Sequence, residues 1–439
     1  MAMHIVTKQS KKLIKPATPT PVTLRHYKIG FMDELAPAMN VRVVLFFSVN
    51  HNHNSKFISK LEKSLEKILP RYSVLAGRYV AATHTVDCND LGVDFTQAKV
   101  NMKLEDMLGS EANLRLVNDL MPLEIGEVDQ VTDSLLAVQV TAFECGGIAL
   151  GVSISHRIAD ASTLCTFLNE WANISREEEY EVEHIIGSGF NSSLLFPSRG
   201  LDPFLQGFPR SKTDYDNLTI NHITKKLSFT ENEILNLKEK MMRDQKNGST
   251  LRFSKVQVVS AIIWNAFITI DRRINEHPRD SVFLQPINLR GKTSSLIPSD
   301  SFGNIWGLLV TECDSGVDTV EELGDILKNS VNNGKDYYSK LRHDNEEGQK
   351  MVLNTFQYLA TIPPTKNVIT FTSWCKFPFY KTDFGFGKPV WVNCGSIHAK
   401  NLAYLIDGVG GNGIEAYICL EDKDVPYLEE ALHFNTFVN

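Results

Sequence analysis

Apolar side chains recur at helical spacing in two segments of the first half of the chain. The first segment predicts an amphipathic helix that ends at Pro70. Its apolar positions are Ile58, Leu61, Leu65, Ile68 and Leu69. The second segment predicts a helix that begins after Asp160 and packs one face on a core. Its apolar positions are Leu164, Phe167, Leu168 and Trp171, at i, i+3, i+4 and i+7.

Short apolar runs rich in β-branched residues predict strands in both halves of the chain. They span residues 41–49, 135–141, 148–154, 223–229, 282–287, 307–311, 402–406 and 415–420. A buried helix is predicted at residues 256–268, and a capping box at residues 230–233 predicts the start of another. Each half therefore mixes strands with helices, and the predicted fold class is α/β, of the mixed α+β kind.

Residues 176–216 interrupt this pattern, because they are rich in Glu, Ser, Gly, Pro and Asn and show little periodicity. A stretch of this length without periodic structure is uncommon inside one compact domain. We therefore expect an N-terminal domain over residues 1–180, a crossover loop over 181–218 and a C-terminal domain over 219–439.

Charge and cysteine usage narrow the class of function. A net charge of −7 over 439 residues argues against a nucleic-acid binder, whose footprint would be basic. The seven cysteines are scattered with no C-x-x-C pair, so the sequence predicts neither a metal site nor a redox motif. The polar N-terminus and strand-sized apolar runs indicate no signal peptide and no membrane span. We expect a cytoplasmic monomer that binds no membrane.

His156 and Asp160 form an H-x-x-x-D string between a predicted buried strand and a predicted helix. A histidine at the end of a buried strand can be held rigidly with its ring facing a cavity, as a general base requires. Asp160 lies at the position of a helix N-cap. The string alone does not separate a catalytic base from a structural histidine, since a chain with 12 histidines often contains such patterns by chance.

Further polar turns lie in the second half of the chain. Arg290, in an Asn-Leu-Arg string that follows a predicted strand, requires a carboxylate partner if it is buried. A Phe-Gly-Asn string follows at residues 302–304, and a Thr-Ser-Trp string at residues 372–374. The last is Asp-Phe-Gly-Phe-Gly from Asp383, where glycines suit a tight turn whose aspartate bonds to the backbone.

The order of these five motifs resembles that of the BAHD family of plant CoA-dependent acyltransferases, and the resemblance covers almost the whole chain. Within the family, the chain is most similar to the branch that acetylates alkaloid hydroxyls. It departs from the family at Phe386, where the D-F-G-W-G motif has tryptophan. The resemblance implies two chloramphenicol-acetyltransferase-like domains with a channel at their interface, through which acyl-CoA and a small-molecule alcohol meet.

The resemblance also implies roles for individual residues. His156 would be the general base, and the side chains of Thr372 and Trp374 would donate hydrogen bonds to the thioester oxygen. Asp160 would pair with Arg290 as structural support. Asp383 would likewise support the fold, in a motif that lies away from the reacting atoms.

The resemblance places the CoA phosphates near Ser254 and Lys255, which precede the predicted helix at 256–268. It implies acetyl-CoA as the donor, with malonyl-CoA and transfer to an amine as open alternatives. A covalent acyl-enzyme is not expected, because no cysteine has a neighbouring base. A non-catalytic paralogue that binds metabolites in the same channel is the alternative from another class.

Overall fold

Two six-stranded sheets form the centre of the molecule in the computed structural model. It describes residues 5–49, 54–109, 114–128, 130, 132–176, 192–201, 217, 222–243, 253–275, 277–293, 297–317, 319–342, 345–396 and 399–437. The strands are β1 (Val6–Ile14), β2 (His26–Lys28), β3 (Asn40–Phe47), β4 (Arg78–Val80), β5 (Thr85–Asp87), β6 (Val93–Val100), β7 (Leu136–Phe143), β8 (Ile148–Ser155), β9 (His222–Phe229), β10 (Ser281–Asn288), β11 (Trp306–Cys313), β12 (Asn367–Ser373), β13 (Trp391–Asn393), β14 (Leu402–Asp407) and β15 (Ile414–Glu421). The helices are α1 (Phe31–Glu34), α2 (Asn54–Ile68), α3 (Leu104–Gly109), α4 (Leu114–Asp119), α5 (Ala161–Arg176), α6 (Ser192–Leu195), α7 (Glu231–Arg243), α8 (Lys255–Ile274), α9 (Val320–Ser339), α10 (Glu346–Leu359) and α11 (Val425–Phe437). The predicted mixed α/β class is confirmed.

The first sheet has the strand order β1-β6-β7-β8-β3-β13. Its strands β3 and β8 pair antiparallel, with Val41 opposite Ile154, and every residue of both strands is buried. Burial on both faces explains their nearly continuous apolar sequence. His156 follows the last residue of β8, so it leaves the sheet at the end of a buried central strand.

Helices α2 and α5 pack against each other over this sheet. The apolar face of α5 predicted from the sequence is buried, with Phe167, Leu168 and Trp171 each at 0% exposure. Leu61 and Leu65 on α2 are equally buried. Both predicted helices are therefore confirmed, and the start of α5 is fixed on the core of the first sheet.

The second sheet has the strand order β11-β10-β12-β14-β15-β9. Helix α8 lies on one face, where its side chains join Ile369 and Phe371 of β12 in a second core. Because side chains alternate along a strand, Thr370 and Thr372 point to the opposite face, toward the first half of the molecule. That face forms one wall of the site described below.

A short strand from the second half completes the first sheet. Strand β13 pairs with β3, with Trp391 opposite Phe46. The Trp391 indole also donates to Glu415 of the second sheet at 3.0 Å, and Asn393 donates to the Tyr417 hydroxyl at 2.6 Å. These contacts tie the two sheets together around a shared interface.

The expected crossover loop is only partly described, since residues 177–191, 202–216 and 218–221 lie outside the described ranges. Residues 192–201 dock on α1, where the rings of Phe31 and Phe196 meet edge to face at 5.4 Å. The Glu34 carboxylate accepts hydrogen bonds from the Ser198 hydroxyl and from the N–H groups of residues 199–201. The domain boundaries themselves remain a prediction. Across the described ranges, none of the helices combines the length and apolar character that crossing a bilayer requires.

Candidate active site

A cavity of about 230 Å³ lies between the two sheets. The first half contributes Met39, Asn40, Arg42 and His156 to its lining, and the second half contributes strands β10, β11, β12 and the segment after β13. The resemblance described above places its channel at this interface. A ligand in the cavity would therefore contact both halves of the chain.

His156 is held at the cavity wall by its backbone and by its ring. Its N–H donates to the Met39 carbonyl at 2.8 Å, and its Nδ1 lies 2.9 Å from Asn304 Oδ1. The Asn304 amide nitrogen donates to the His156 carbonyl at 2.7 Å and to Asp33 Oδ1 at 2.9 Å. Because both amide hydrogens are directed at oxygen acceptors, Asn304 Oδ1 must accept from Nδ1–H. Nε2 therefore carries the free lone pair that a general base needs.

The protonation state of His156 follows from its surroundings. Burial lowers the pKa of the imidazole, and the nearby Arg157 charge adds to this effect. The Asp160 charge and the bond to Asn304 raise the pKa only in part. The net pKa lies below the usual histidine value, so the ring is neutral near pH 7 and ready to accept a proton.

Asp160 is directed at Arg290 and the backbone, and does not bond to His156. Its oxygens lie 2.8 and 3.2 Å from the Arg290 guanidinium and accept the N–H groups of Thr163 and Ile305. Burial raises the pKa of this carboxyl, but the Arg290 charge and the N–H donors outweigh burial and hold the pKa below its usual range. Asp160 is thus an ionised helix cap and the anion of a buried pair.

Arg290 connects this pair to the loop that carries Asn304. Its Nε donates to the Ser301 carbonyl at 2.7 Å, and its Nη2 donates to the Gly303 carbonyl at 2.9 Å. Gly303 adopts a φ of +117°, in the region that favours glycine. The guanidinium therefore fixes the turn immediately before the residue that orients the histidine ring.

Thr372 and Trp374 line the same cavity as His156. Thr372 lies on the face of β12 that points away from the second core, and Trp374 follows the end of that strand. The Trp374 side chain is 9% exposed, and its ring centroid lies 5.9 Å from that of Phe379. The structure therefore brings together the three residues that the resemblance assigns to the reaction.

Ser254 and Lys255 are not part of the cavity lining. Ser254 caps α8, and the Lys255 ammonium lies 2.5 Å from the Glu231 carboxylate. Burial raises the pKa of the Asp407 carboxyl, while the Lys376 N–H bond and the charges of Lys255 and Lys376 lower it. The Lys376 N–H donates to the Asp407 carboxylate at 2.8 Å, and the charge of Lys255 acts on the same carboxylate.

Asp383 lies away from the cavity in a turn that packs on the first half. Its Oδ1 accepts the N–H groups of Gly385 at 2.7 Å and Gly387 at 3.1 Å. Both glycines have a positive φ, of +89° and +100°. The predicted turn geometry is confirmed, and the position of Asp383 suits a structural part.

Sequence reasoning missed three residues of the site. Asn304 appeared only as part of a polar turn. Trp306, two positions later, has its ring centroid 6.4 Å from that of His156, and its Nε1 is buried with no hydrogen-bond partner in the described part of the chain. Arg42 is the one lysine or arginine that lines the cavity among the described residues, and it donates to the Ser396 carbonyl at 2.7 Å. For Asn304 and Arg42, the available signal was a polar or charged side chain within apolar sequence.

Comparison with known proteins shows the family to which the chain belongs. The model of the Transferase family matches residues 4–434. Stemmadenine O-acetyltransferase of Catharanthus roseus is 32% identical over 429 residues, which cover 95% of each chain. A malonyltransferase of Salvia splendens, pelargonidin 3-O-(6-caffeoylglucoside) 5-O-(6-O-malonylglucoside) 4'''-malonyltransferase, is 30% identical over 435 residues, which cover 98% of each chain.

The fold agrees with a solved structure over nearly the whole chain. The crystal structure of vinorine synthase superposes with a TM-score of 0.80 at 29% sequence identity and covers 96% of both chains. The fold, the family model and the relatives agree over nearly the whole length. The chain therefore belongs to the Transferase family, the BAHD acyl-CoA-dependent acyltransferases, as the order of its motifs predicted.

Proposed function

We propose that the protein transfers an acetyl group from acetyl-CoA to a hydroxyl group of a plant specialised metabolite, an alkaloid. The observation that carries this proposal is the contact of His156 Nδ1 with Asn304 Oδ1 at 2.9 Å, which leaves Nε2 as the free ring nitrogen of a residue that shares a cavity with Thr372 and Trp374. Stemmadenine O-acetyltransferase and vinorine synthase support the alkaloid as acceptor class.

In the proposed reaction, His156 Nε2 takes the hydroxyl proton as the acceptor oxygen bonds to the thioester carbonyl carbon. Such a positioned base contributes typically ~10²–10⁴-fold to the rate. The carbonyl oxygen becomes an oxyanion, which the Thr372 hydroxyl and Trp374 indole N–H stabilise. One such donor is worth roughly 10²–10³ in rate. The C–S bond then breaks, and the CoA thiolate takes the proton from Nε2.

A direct transfer, without a covalent acyl-enzyme, is the form that the site supports. Cys394 lines the cavity, but burial raises the pKa of its thiol to about 12. Burial likewise raises the pKa of Cys375 to about 12. Both thiols stay protonated near pH 7 and are poor nucleophiles.

The acceptor would lie against an apolar wall. This wall comprises Leu284, Pro286, Trp306, Leu308, Phe356 and Leu359. A fused-ring skeleton suits such a surface, because its burial is favourable in proportion to apolar area. The phosphates of acetyl-CoA would lie outside the cavity near Ser254, Lys255 and Lys376. Lys255→Ala should therefore raise the KM for acetyl-CoA and leave kcat unchanged.

Malonyl-CoA is the second candidate donor, and the position of Arg42 in the cavity lining favours it. A guanidinium at the cavity wall matches the terminal carboxylate of a malonyl group. The Salvia splendens malonyltransferase supports the same alternative. If malonyl-CoA is the donor, Arg42→Leu should abolish malonyl transfer while any acetyl transfer persists.

The test is CoA release by purified protein with acetyl-CoA or malonyl-CoA and a panel of alkaloid and terpenoid alcohols. The proposal expects thiol release that depends on an added alcohol, with the acylated product detected by mass spectrometry. Binding of these alcohols with no turnover from either donor would favour the non-catalytic paralogue instead. Release with amines alone would assign N-acyl transfer.

A further inference from the structure

Asp33 is a wholly buried carboxylate next to the site, at 0% exposure in α1. Its Oδ2 accepts the Gly30 N–H at 2.9 Å and the Ser192 hydroxyl at 3.0 Å. Its Oδ1 accepts the Asn304 backbone N–H at 3.2 Å and the Asn304 side-chain amide at 2.9 Å. Three of the four partners are N–H groups, which can only donate, and the Ser192 hydroxyl can donate as well, so the contacts suit the ionised carboxylate. None of these partners carries a positive charge.

The Asn304 amide joins this carboxylate to the imidazole. One end of the amide donates to Asp33, and the other accepts Nδ1–H of His156. An amide does not transfer protons near neutral pH, so Asp33 cannot take the histidine proton. Its negative charge can still orient the amide dipole and favour a positive charge on the ring.

We propose that Asp33 is a positioning residue of the acyl transfer: through Asn304 it holds His156 in the Nδ1–H tautomer and stabilises the imidazolium that forms in the transition state. This inference rests on the proposed role of His156 as general base. It gives Asp33 the electrostatic part that the H-x-x-x-D string alone would suggest for Asp160. The Asp160 charge also raises the pKa of the ring, but its carboxylate is paired with Arg290.

The energetic cost of this arrangement supports a functional reason for it. Burial raises the pKa of Asp33 to about 6, and the donors from Gly30, Asn304 and Ser192 offset burial only in part. A raised carboxyl pKa stabilises the fold below the unfolded pKa, and that contribution is lost as pH rises through about 6. The charged form near pH 7 therefore works against stability, as buried groups at functional sites often do.

Asp33 titrates in the same pH range as His156, because burial raises its pKa to about 6, whereas the other charged groups around the ring keep one charge state there. Tyr27 faces Asp33 through Ser192, and burial with the Asp33 charge raises the pKa of that phenol above the range of the experiment. On the ring itself act Asp160 and Arg157. Both keep one charge near neutral pH, so neither produces a pH-dependent change there.

The test compares Asp33→Asn with Glu34→Gln. Glu34 is an adjacent buried carboxylate that also accepts four hydrogen bonds, but its partners lie in residues 198–201 and not at the site. The pKa of His156 is read from the pH dependence of its ethoxyformylation by diethylpyrocarbonate, with mass spectrometry of the peptide. This reading needs no substrate. The acid limb of kcat/KM is measured in parallel.

Asp33→Asn should lower the His156 pKa by about one pH unit, a tenfold change in the protonation equilibrium, and lower kcat at least tenfold with little change in KM. Glu34→Gln should leave both at wild-type values. If Asp33→Asn does not fold by circular dichroism, Asn304→Ala keeps the backbone donor to Asp33 and should lower kcat about tenfold.

An unchanged His156 pKa in folded Asp33→Asn would overturn the inference, as would wild-type kcat in Asn304→Ala. A kcat of Asp33→Asn equal to the kcat of Glu34→Gln would also overturn it. If Asp33→Asn shifts the His156 pKa but the wild-type protein shows no acyl transfer activity, the proposed function is contradicted and the electrostatic link stands.

Discussion

The Arg290 guanidinium meets both carboxylate oxygens of Asp160, with Nη1 2.8 Å from Oδ2 and Nη2 3.2 Å from Oδ1. Both residues are 7% exposed. Removal of one charge leaves the other buried without its partner. Asp160→Asn should therefore lower the free energy of unfolding by roughly 3–5 kcal/mol, as measured by urea denaturation.

The companion double variant Asp160→Asn with Arg290→Met removes both charges and should recover part of that loss. Activity of the single variant should fall together with its stability. If Asp160→Asn unfolds like the wild type but is inactive, Asp160 has a chemical part that the pairing with Arg290 does not explain.

The pH dependence of the reaction should report the buried histidine. The active form is the neutral ring, and burial lowers its pKa. The acid limb of kcat/KM should therefore lie below the usual histidine value of about 6.5, and activity should persist into weakly acidic buffer. A limb above that value would mean that another group is the base.

Gly303→Ala should destabilise the loop that carries Asn304. Gly303 has a φ of +117°, and an added Cβ would lie 2.3 Å from Ser192 Cβ. We expect a loss of roughly 1–3 kcal/mol in the free energy of unfolding and a lower kcat.

Gly291→Ala is the matched control, because Gly291 has a φ of +68° and no atom within 4 Å of its added Cβ. It should cost only the backbone term, about 1–2 kcal/mol, and leave kcat unchanged. Equal kcat in the two variants would show that the close packing of Gly303 against Ser192 does not position Asn304.

Phe386→Trp restores the family residue in the turn after Asp383. The Phe386 ring lies 4.7 Å from Phe57, and the Lys60 ammonium lies 5.3 Å from its centroid. A larger ring offers more packing area and a stronger cation–π contact, so thermal unfolding should show a gain of up to about 1 kcal/mol. Since this turn does not line the cavity, kcat should not change. A tenfold change in kcat would connect the turn to the site.

Periodic sequence predicted the buried centre of the fold and missed elements with weak hydrophobic signals. Strand β1 is mostly exposed and polar, and it pairs with β6 through its backbone, with Val6 opposite Val100. Its side chains carry no alternation from which a strand could be inferred. Helix α9 was also missed, because Gly324 and Gly334 lower its helix propensity. The second glycine lies against the end of the Leu309 side chain, which an added Cβ would displace.

The sequence likewise predicted one part of the candidate site and not the other. His156 and Asp160 are visible because they lie at a strand end and a helix start. The orientation of the ring depends on Asn304, 148 positions away, which in turn depends on Asp33, 271 positions from it. No local pattern encodes contacts at that separation, so a single sequence could not predict them.

The role of His156 as the base for acyl transfer is tested most directly by the initial rate of CoA release with an alcohol that the wild type accepts. We predict that His156→Ala lowers this rate by ~10²–10⁴-fold. His277→Ala, at an exposed histidine outside the cavity, should leave the rate at the wild-type value. A correctly folded His156→Ala protein that releases CoA as fast as the wild type would contradict that role.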